Sequence, residues 1–172
     1  MNQKKVEERK NLYNEAMQML DDGIQMLRHV SSELMSQVLS NFGLEKAIML
    51  YLQKLSKIEE IKLNFSFQTQ QPRFESVIED IIYRTVTELI HNGYKHSQAQ
   101  NIELKIFQVE KAIFITYQDD GIGFDYYNHI LSNNSKGQGL HLIYNRIKML
   151  GGIIDFQHLE KGCMFKIEIP IQ

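Results

Sequence analysis

The chain has a single cysteine, two prolines and no marked excess of either charge, and each shortage closes a class of explanation. Cys163, alone, excludes an internal disulfide and a cysteine-rich metal site, which fits a reducing compartment. Nineteen Lys and Arg against 21 Asp and Glu leave a formal net charge of −2. Without a dense basic stripe to meet phosphates, nucleic acid is not an expected partner. No run approaches the roughly 20 consecutive apolar residues of a membrane span, and Met1 to Lys10 is too charged for a signal-peptide core. The chain as given is therefore expected to be soluble and cytoplasmic, leaving any membrane anchor of a longer parent protein to segments upstream. What is present is that of a folded protein: 172 residues, 43% apolar and 10% aromatic, enough for one compact domain and one extra element.

From Val6 to Val38 the apolar residues Tyr13, Ala16, Met17, Leu20, Ile24, Leu27, Val30, Leu34 and Val38 trace one helical stripe. The other faces carry Lys4, Lys5, Glu7, Glu8, Arg9, Lys10, Asp21, Asp22 and Arg28. Such a long amphipathic helix either packs back on its own domain or serves as a dimerisation helix. Asn41-Phe42-Gly43 breaks the pattern, and Leu44 to Leu55 resumes it as a second, shorter helix.

A sheet is expected to begin where Ile61, Leu63, Phe65 and Phe67 alternate with polar residues. Phe74 to His96 returns to helical spacing. Ile102 to Ile106 and Ala112 to Tyr117 read as two strands joined by a turn near Val109 to Lys111. Tyr126 to Lys136 is polar and irregular, of a length that points to a functional lid. Gln138 to Leu150 reads as a helix stopped by Gly151-Gly152, and Ile153 to Phe156 and Met164 to Ile169 as strands. The sum is an α+β architecture, a mixed sheet with helices on one face, preceded by a long amphipathic helix.

Three short motifs carry chemistry. In the helix from Phe74 to His96, Glu88, Asn92 and Lys95 stand at steps of four and three, hence on one face. A carboxylate, an amide and an ammonium with one outlook can take a proton, ligate Mg²⁺ and meet phosphate oxygens. Taken alone they also fit a solvated helix face. Asp119-Asp120-Gly121-Ile122-Gly123-Phe124-Asp125 follows a strand, where glycines let the backbone approach a ligand and the first carboxylate can accept from an adenine amino group. A calcium loop would need a downstream bidentate Glu at fixed spacing, which is missing. Lys136-Gly137-Gln138-Gly139-Leu140 opens the next helix, whose free N–H groups suit phosphates or mark a plain helix start.

In type, order and spacing these segments resemble the N-box, D-x-G-x-G box and G-x-G box of the GHKL superfamily of ATPases and kinases. The closer resemblance is to sensor histidine kinases of the nitrate-sensor type, through Thr87 to His96 and Gly139 to Gly152. It extends upstream, where Leu27 to Leu34 and Val38 to Leu44 are similar to the second helix of that family's dimerisation domain and its exit. The resemblance implies a two-layer α/β sandwich of the Bergerat ATP-binding type over residues 43–172, with residues 1–42 as part of the dimerisation domain. It implies ATP and Mg²⁺ as cofactors and transfer of the γ-phosphoryl group to a histidine. Carried onto matching positions, it makes Glu88 the catalytic base and a second candidate metal ligand, and Asn92 the Mg²⁺ ligand. Lys95 then lies near phosphate, Asp119 on adenine, and Gly121, Gly123, Gly137, Gly139, Leu140 and Cys163 around the nucleotide; His96, close to this chemistry, either donates to a phosphate or has a capping or surface role at the end of its helix. A homodimer through the N-terminal helix and a response regulator are the implied protein partners.

The sequence departs from the pattern in places. The family's acceptor histidine lies in the first dimerisation helix within a motif like E-L-H-D, and no such motif precedes His29, so the acceptor is expected from another polypeptide. His29 reads as a structural histidine of the second helix. His91, His96, His129, His141 and His158 show no zinc-like spacing. Cys163 stands where threonine is common and Gly93 where alanine is usual, changes expected to weaken a hydrogen bond near adenine and to loosen the N-box helix. Two other readings share the motifs: an anti-sigma-type serine kinase, disfavoured by the long helix, and a non-enzymatic nucleotide-binding interaction module. If Tyr126 to Lys136 is a lid, an added ATP analogue slows its amide exchange; unchanged exchange overturns that assignment.

Overall fold

The computed structural model describes residues 13, 16–20, 23, 37–56, 61–123 and 138–171. The chain divides into two units, Met1–Val38 and Leu39–Gln172. In the first, Tyr13, Ala16 to Leu20 and Gly23 are helical, and Tyr13, Met17, Met19 and Leu20 are exposed. The rest of the expected helix from Val6 to its last turn, His29, and the expected lid with Gly137 all lie outside the described residues. Among the described residues no helix is long and apolar enough to cross a membrane.

The second unit opens with helix α1, residues 39–55. Helical bonding runs through the expected break, yet Gly43 has φ +79, a left-handed value that glycine adopts without a Cβ penalty. The break is thus one residue of backbone rather than a gap between helices. After it, Leu44, Ala47, Ile48 and Leu52 are buried at helical spacing.

Strand β1 (Lys62–Gln68) is followed by helix α2 (Ser76–Asn92), which continues into a wider π-helical turn over Gly93–Ser97. Strands β2 (Asn101–Val109) and β3 (Ala112–Asp119) come next, then helix α3 (Gln138–Met149) and strands β4 (Ile153–His158) and β5 (Cys163–Pro170). The strands lie in the order β1-β2-β3-β5-β4; β1 is parallel to β2 and the other pairs are antiparallel, which makes the sheet mixed.

Period-two alternation sends Ile102, Leu104 and Ile106 of β2 to one face together with Ile113, Ile115 and Tyr117 of β3 and Phe165, Ile167 and Ile169 of β5. Against that face the helices set Ile82, Val86, Leu89 and Ile90 of α2 and Ile143 and Ile147 of α3. Each such side chain contributes about 1.5–3 kcal/mol when fully buried, so this layer dominates the stability of the unit. The opposite face is half-covered at most, with Phe107 and Phe114 stacked across strands at 5.4 Å.

One buried carboxylate organises the entry to α2. Glu79, 1% exposed, accepts from Arg73 Nε at 3.0 Å and Nη2 at 3.1 Å and from the Phe74 N–H at 3.0 Å. Its place in the first turn also sets its charge at the positive end of the helix. Arg73 Nη1 donates to the Ser40 carbonyl at 3.0 Å, so the same guanidinium fastens the loop to the start of α1. A buried donor left without its acceptor costs about 1–3 kcal/mol, and Glu79→Ala is expected to lose that much in urea denaturation. Arg73→Ala, which leaves the buried Glu79 carboxylate without its cation, is expected to lose at least as much; a negligible loss in Arg73→Ala would refute this account.

Candidate functional site

The three motifs lie on three different elements, and glycine contacts bring them together. Glu88 and Asn92, one helical turn apart near the end of α2, are half-buried and have no hydrogen-bond partner among the described residues. Gly139, in the first turn of α3, lies directly against them: a Cβ there would run into Glu88 Oε1 and come within 3.7 Å of Asn92 Nδ2. The carboxylate, the amide and the opening turn of α3 therefore share one small space. Leu140 beside them is buried.

Beyond Asn92 the helix widens. Gly93 to Ser97 forms the π turn, closed by the Ser97 hydroxyl donating to the Gly93 carbonyl at 2.6 Å and accepting from the Ala99 N–H at 3.0 Å. Gln98 then leaves the helix with φ 55. The sequence pattern carried an ordinary helix to His96; the wider turn changes the spacing just after Asn92. Lys95 and His96 sit on this turn and are exposed, with no ion pair among the described residues.

The second motif is pinned to the end of that turn. The Ile122 N–H donates to the Ser97 carbonyl at 2.8 Å, and Gly121 lies so close to the same carbonyl that a Cβ would overlap it. Asp120 faces the start of β2: its Oδ1 accepts from the Gln100 and Asn101 N–H groups at 2.8 Å each, and its Oδ2 from the Asn101 amide at 2.7 Å. Those bonds, led by the Asn101 side chain, hold the Asp120 carboxyl below the usual carboxylate range. Gly123, at φ +66, abuts His158 and the Gly162 carbonyl.

Asp119 is the last residue of β3 and, by the alternation that buries Ile113, Ile115 and Tyr117, points inward; it is 3% exposed. Its Oδ1 accepts from the Gly121 N–H at 3.0 Å, and its Oδ2 from the Tyr117 hydroxyl at 3.0 Å and the Cys163 thiol at 3.2 Å. Burial, and after it the neighbouring Asp119 charge, push both the Tyr117 phenol and the Cys163 thiol well above their ordinary values. Both keep their protons near neutrality and act as donors. Cys163 thus supplies a donor to the carboxylate, where the sequence suggested only a weakened bond. Gly162, at φ +79, presses on the Asp119 carbonyl and brings β5 into register with β3 there.

Asn92, Glu88 and Gly139 form one group and Asp119, Gly121 and Cys163 another, with the π turn between them. Gly137 falls outside the described residues. Tyr117 was missed by sequence reasoning. Its signal was available: it stands two residues before Asp119 on the same strand face. Gly93 has a steric reason rather than a loosening effect, since a Cβ there would collide with the Tyr117 hydroxyl. Among the described residues no three His, Cys, Asp or Glu side chains cluster as a metal cage. An amide and one carboxylate one helical turn apart suit Mg²⁺, a hard ion that usually takes few protein ligands and fills its shell with phosphate oxygens and water.

Comparison with known proteins identifies the family. The family described as histidine kinase-, DNA gyrase B-, and HSP90-like ATPase matches residues 77–172. The sensor histidine kinase ComP of Bacillus subtilis is 31% identical over 158 residues, covering 89% of this chain and 20% of its own length. The oxygen sensor histidine kinase NreB of Staphylococcus carnosus is 28% identical over 148 residues, covering 84% of this chain and 41% of its own. The chain therefore spans less than half of either relative. In fold it is similar to the blue-light activated histidine kinase EL346 of Erythrobacter litoralis, with a TM-score of 0.69 at 17% identity over 88% of this chain and 50% of that one.

The glycine contacts differ in kind, and so do the expected costs of filling them. Gly121→Ala drives a methyl into main chain that cannot rotate away, and is expected to lower stability by roughly 3 kcal/mol. Gly139→Ala meets the end of a flexible Glu88 side chain and gains helix propensity of about 1 kcal/mol, so its melting temperature should be unchanged or slightly raised. Equal destabilisation by the two in thermal unfolding would contradict this.

Proposed function

The chain belongs to the histidine kinase-, DNA gyrase B- and HSP90-like ATPase family and is an ATP-binding catalytic domain of the sensor histidine kinase type, and on that premise we propose how its residues divide the work. Residues 43–172 bind ATP and catalyse phosphoryl transfer, while residues 1–42 contribute a dimerisation helix through which two copies pair. The observation that carries this reading is the convergence of three separated motifs through Gly139 on Glu88 and Asn92 and Gly121 on Ser97.

In this reading Asp119 receives the exocyclic amino group of adenine. Gly121, Gly123, Gly137 and Gly139 let the main chain approach the nucleotide, and Leu140 and Cys163 line it. Lys95 and His96, exposed on the turn, meet phosphate oxygens. Asn92 would hold Mg²⁺ through its amide oxygen, with Glu88 a candidate second ligand. When bound, the ion neutralises charge on the triphosphate and fixes its geometry.

Glu88 acts as the base towards an acceptor histidine. It takes the proton from one imidazole nitrogen while a new N–P bond forms and the bond from the γ-phosphorus to its bridging oxygen breaks, with ADP leaving. Little covalent work falls to the protein, so positioning and charge stabilisation carry the rate. ATP supply places the domain in the cytoplasm, whatever anchors the parent, and the phosphohistidine would serve a response regulator.

Calorimetric titration of a non-hydrolysable ATP analogue with Mg²⁺ is expected to show saturable binding to the wild type. Asp119→Asn, which replaces an acceptor by a donor facing the base, is expected to weaken it about tenfold or more. Glu88→Gln is expected to bind the analogue yet lose phosphoryl transfer to an added histidine-bearing dimerisation helix. Transfer at the wild-type rate by Glu88→Gln would remove Glu88 as the base. Binding with no transfer by the wild type would favour the interaction-module reading.

A further inference from the structure

The alternation of β3 that turns Asp119 inward turns Tyr117 inward as well, and the two side chains meet in a hydrogen bond. A carboxylate offers about four acceptor positions, two on each oxygen. On Asp119, Oδ2 has both of its positions filled, by the Tyr117 hydroxyl at 3.0 Å and the Cys163 thiol at 3.2 Å. Oδ1 has one filled, by the Gly121 N–H at 3.0 Å. Among the described residues one acceptor position remains, and it is on Oδ1.

The Tyr117 hydroxyl can be where it is only because residue 93 has no side chain. A Cβ on Gly93 would overlap that oxygen and lie 3.2 Å from Tyr117 Cζ and 3.0 Å from Ile102 Cδ1. Gly93 itself is buried, in the first position of the π turn directly after Asn92. Gly93 and Tyr117 are therefore one steric unit joining the first motif to the second. Neither residue type is demanded by the three-motif pattern.

We propose that Tyr117 is a positioning residue of the base pocket: through the slot opened by Gly93 its hydroxyl saturates Asp119 Oδ2, so that a purine's exocyclic amino group is received at Oδ1 alone, and this sets the preference for a 6-aminopurine over a 6-oxopurine. The inference rests on the nucleotide reading given above. Its physical basis is restriction. With Oδ2 held by two donors, the carboxylate cannot rotate to offer another lone pair. A 6-oxopurine then brings an acceptor against an acceptor, which discriminates by repulsion as well as by a missing bond. Without the tyrosine hydroxyl, Oδ2 regains a free position, and the carboxyl can turn aside from a 6-oxo group, which relieves the repulsion.

The test is calorimetric titration of ADP·Mg²⁺ and inosine diphosphate·Mg²⁺ into the wild type, Tyr117→Phe, Gly93→Ala and the Gly93→Ala/Tyr117→Phe pair, with melting temperatures for all four. The wild type is expected to prefer ADP, and Tyr117→Phe to narrow the ADP-to-inosine diphosphate ratio about tenfold while remaining folded. A merely structural role would weaken both nucleotides together and leave the ratio as it was. Gly93→Ala is expected to lower the melting temperature in the wild-type background and to cost much less once the hydroxyl is gone, a non-additivity that reports direct contact. An unchanged ratio in folded Tyr117→Phe, or an equal cost of Gly93→Ala in both backgrounds, overturns the inference alone. Wild-type protein that binds neither nucleotide overturns the nucleotide reading and this inference with it.

Discussion

Where the π turn after α2 meets the loop after β3, main chain lies against main chain, and the site depends on that approach. Gly121 has no room for a methyl beside the Ser97 carbonyl, and the same carbonyl takes the Ile122 N–H. Contacts of this kind fix position more tightly than side chains can, because there is no rotamer to relax. They set the height of the loop above the helix, and with it where Asp119 sits relative to Asn92. Gly162, pressed on the Asp119 carbonyl, supplies the matching constraint from β5. A carboxylate caught between two such contacts is oriented before any ligand arrives, which is the condition for selective recognition at low entropic cost.

The surrounding fold supports that junction from both sides. Buried Ile and Leu of α2 hold the helix on the sheet, while Glu79 and Arg73 at its other end tie it to the loop before it and to α1. Tyr51 of α1 reaches α2 as well, donating to the Thr87 carbonyl at 3.3 Å and meeting Tyr83 edge-on at 6.4 Å. Burial pushes both phenols up to about 12, so they stay neutral hydrogen-bonding groups across the working pH range. Helix α2 is therefore held at its start, middle and end. Glu88 and Asn92 ride on a rigid element, while Lys95 and His96 ride on the exposed turn beyond it.

Cys163 and Gly93 illustrate how a departure from a pattern acquires meaning only in three dimensions. Read singly, each looked like a loss: a weaker donor in place of a hydroxyl and a looser helix. In the folded chain they lie on two sides of one cluster. The thiol donates to Asp119, and the missing Cβ makes way for a second donor, the Tyr117 hydroxyl, on the same oxygen.

From the sequence by itself came the order and type of the described elements, because period-two and helical patterns report directly on burial of one face. Strands β1 to β5, helices α2 and α3 and the turns around Glu110 and Gly162 lie close to where the patterning put them. The three motifs were legible too, since glycine and acidic residues at fixed spacing mark backbone approach and charge. The tertiary structure alone decided what those glycines approach: Ser97, Glu88, Tyr117 and Asp119 are distant in sequence from Gly121, Gly139, Gly93 and Gly162, respectively, and no local pattern encodes a contact across elements. It alone decided the π turn as well: the widening coincides with the Ser97 hydroxyl bond to the Gly93 carbonyl and with the close approach of Tyr117 to Gly93, contacts that helix propensity does not encode.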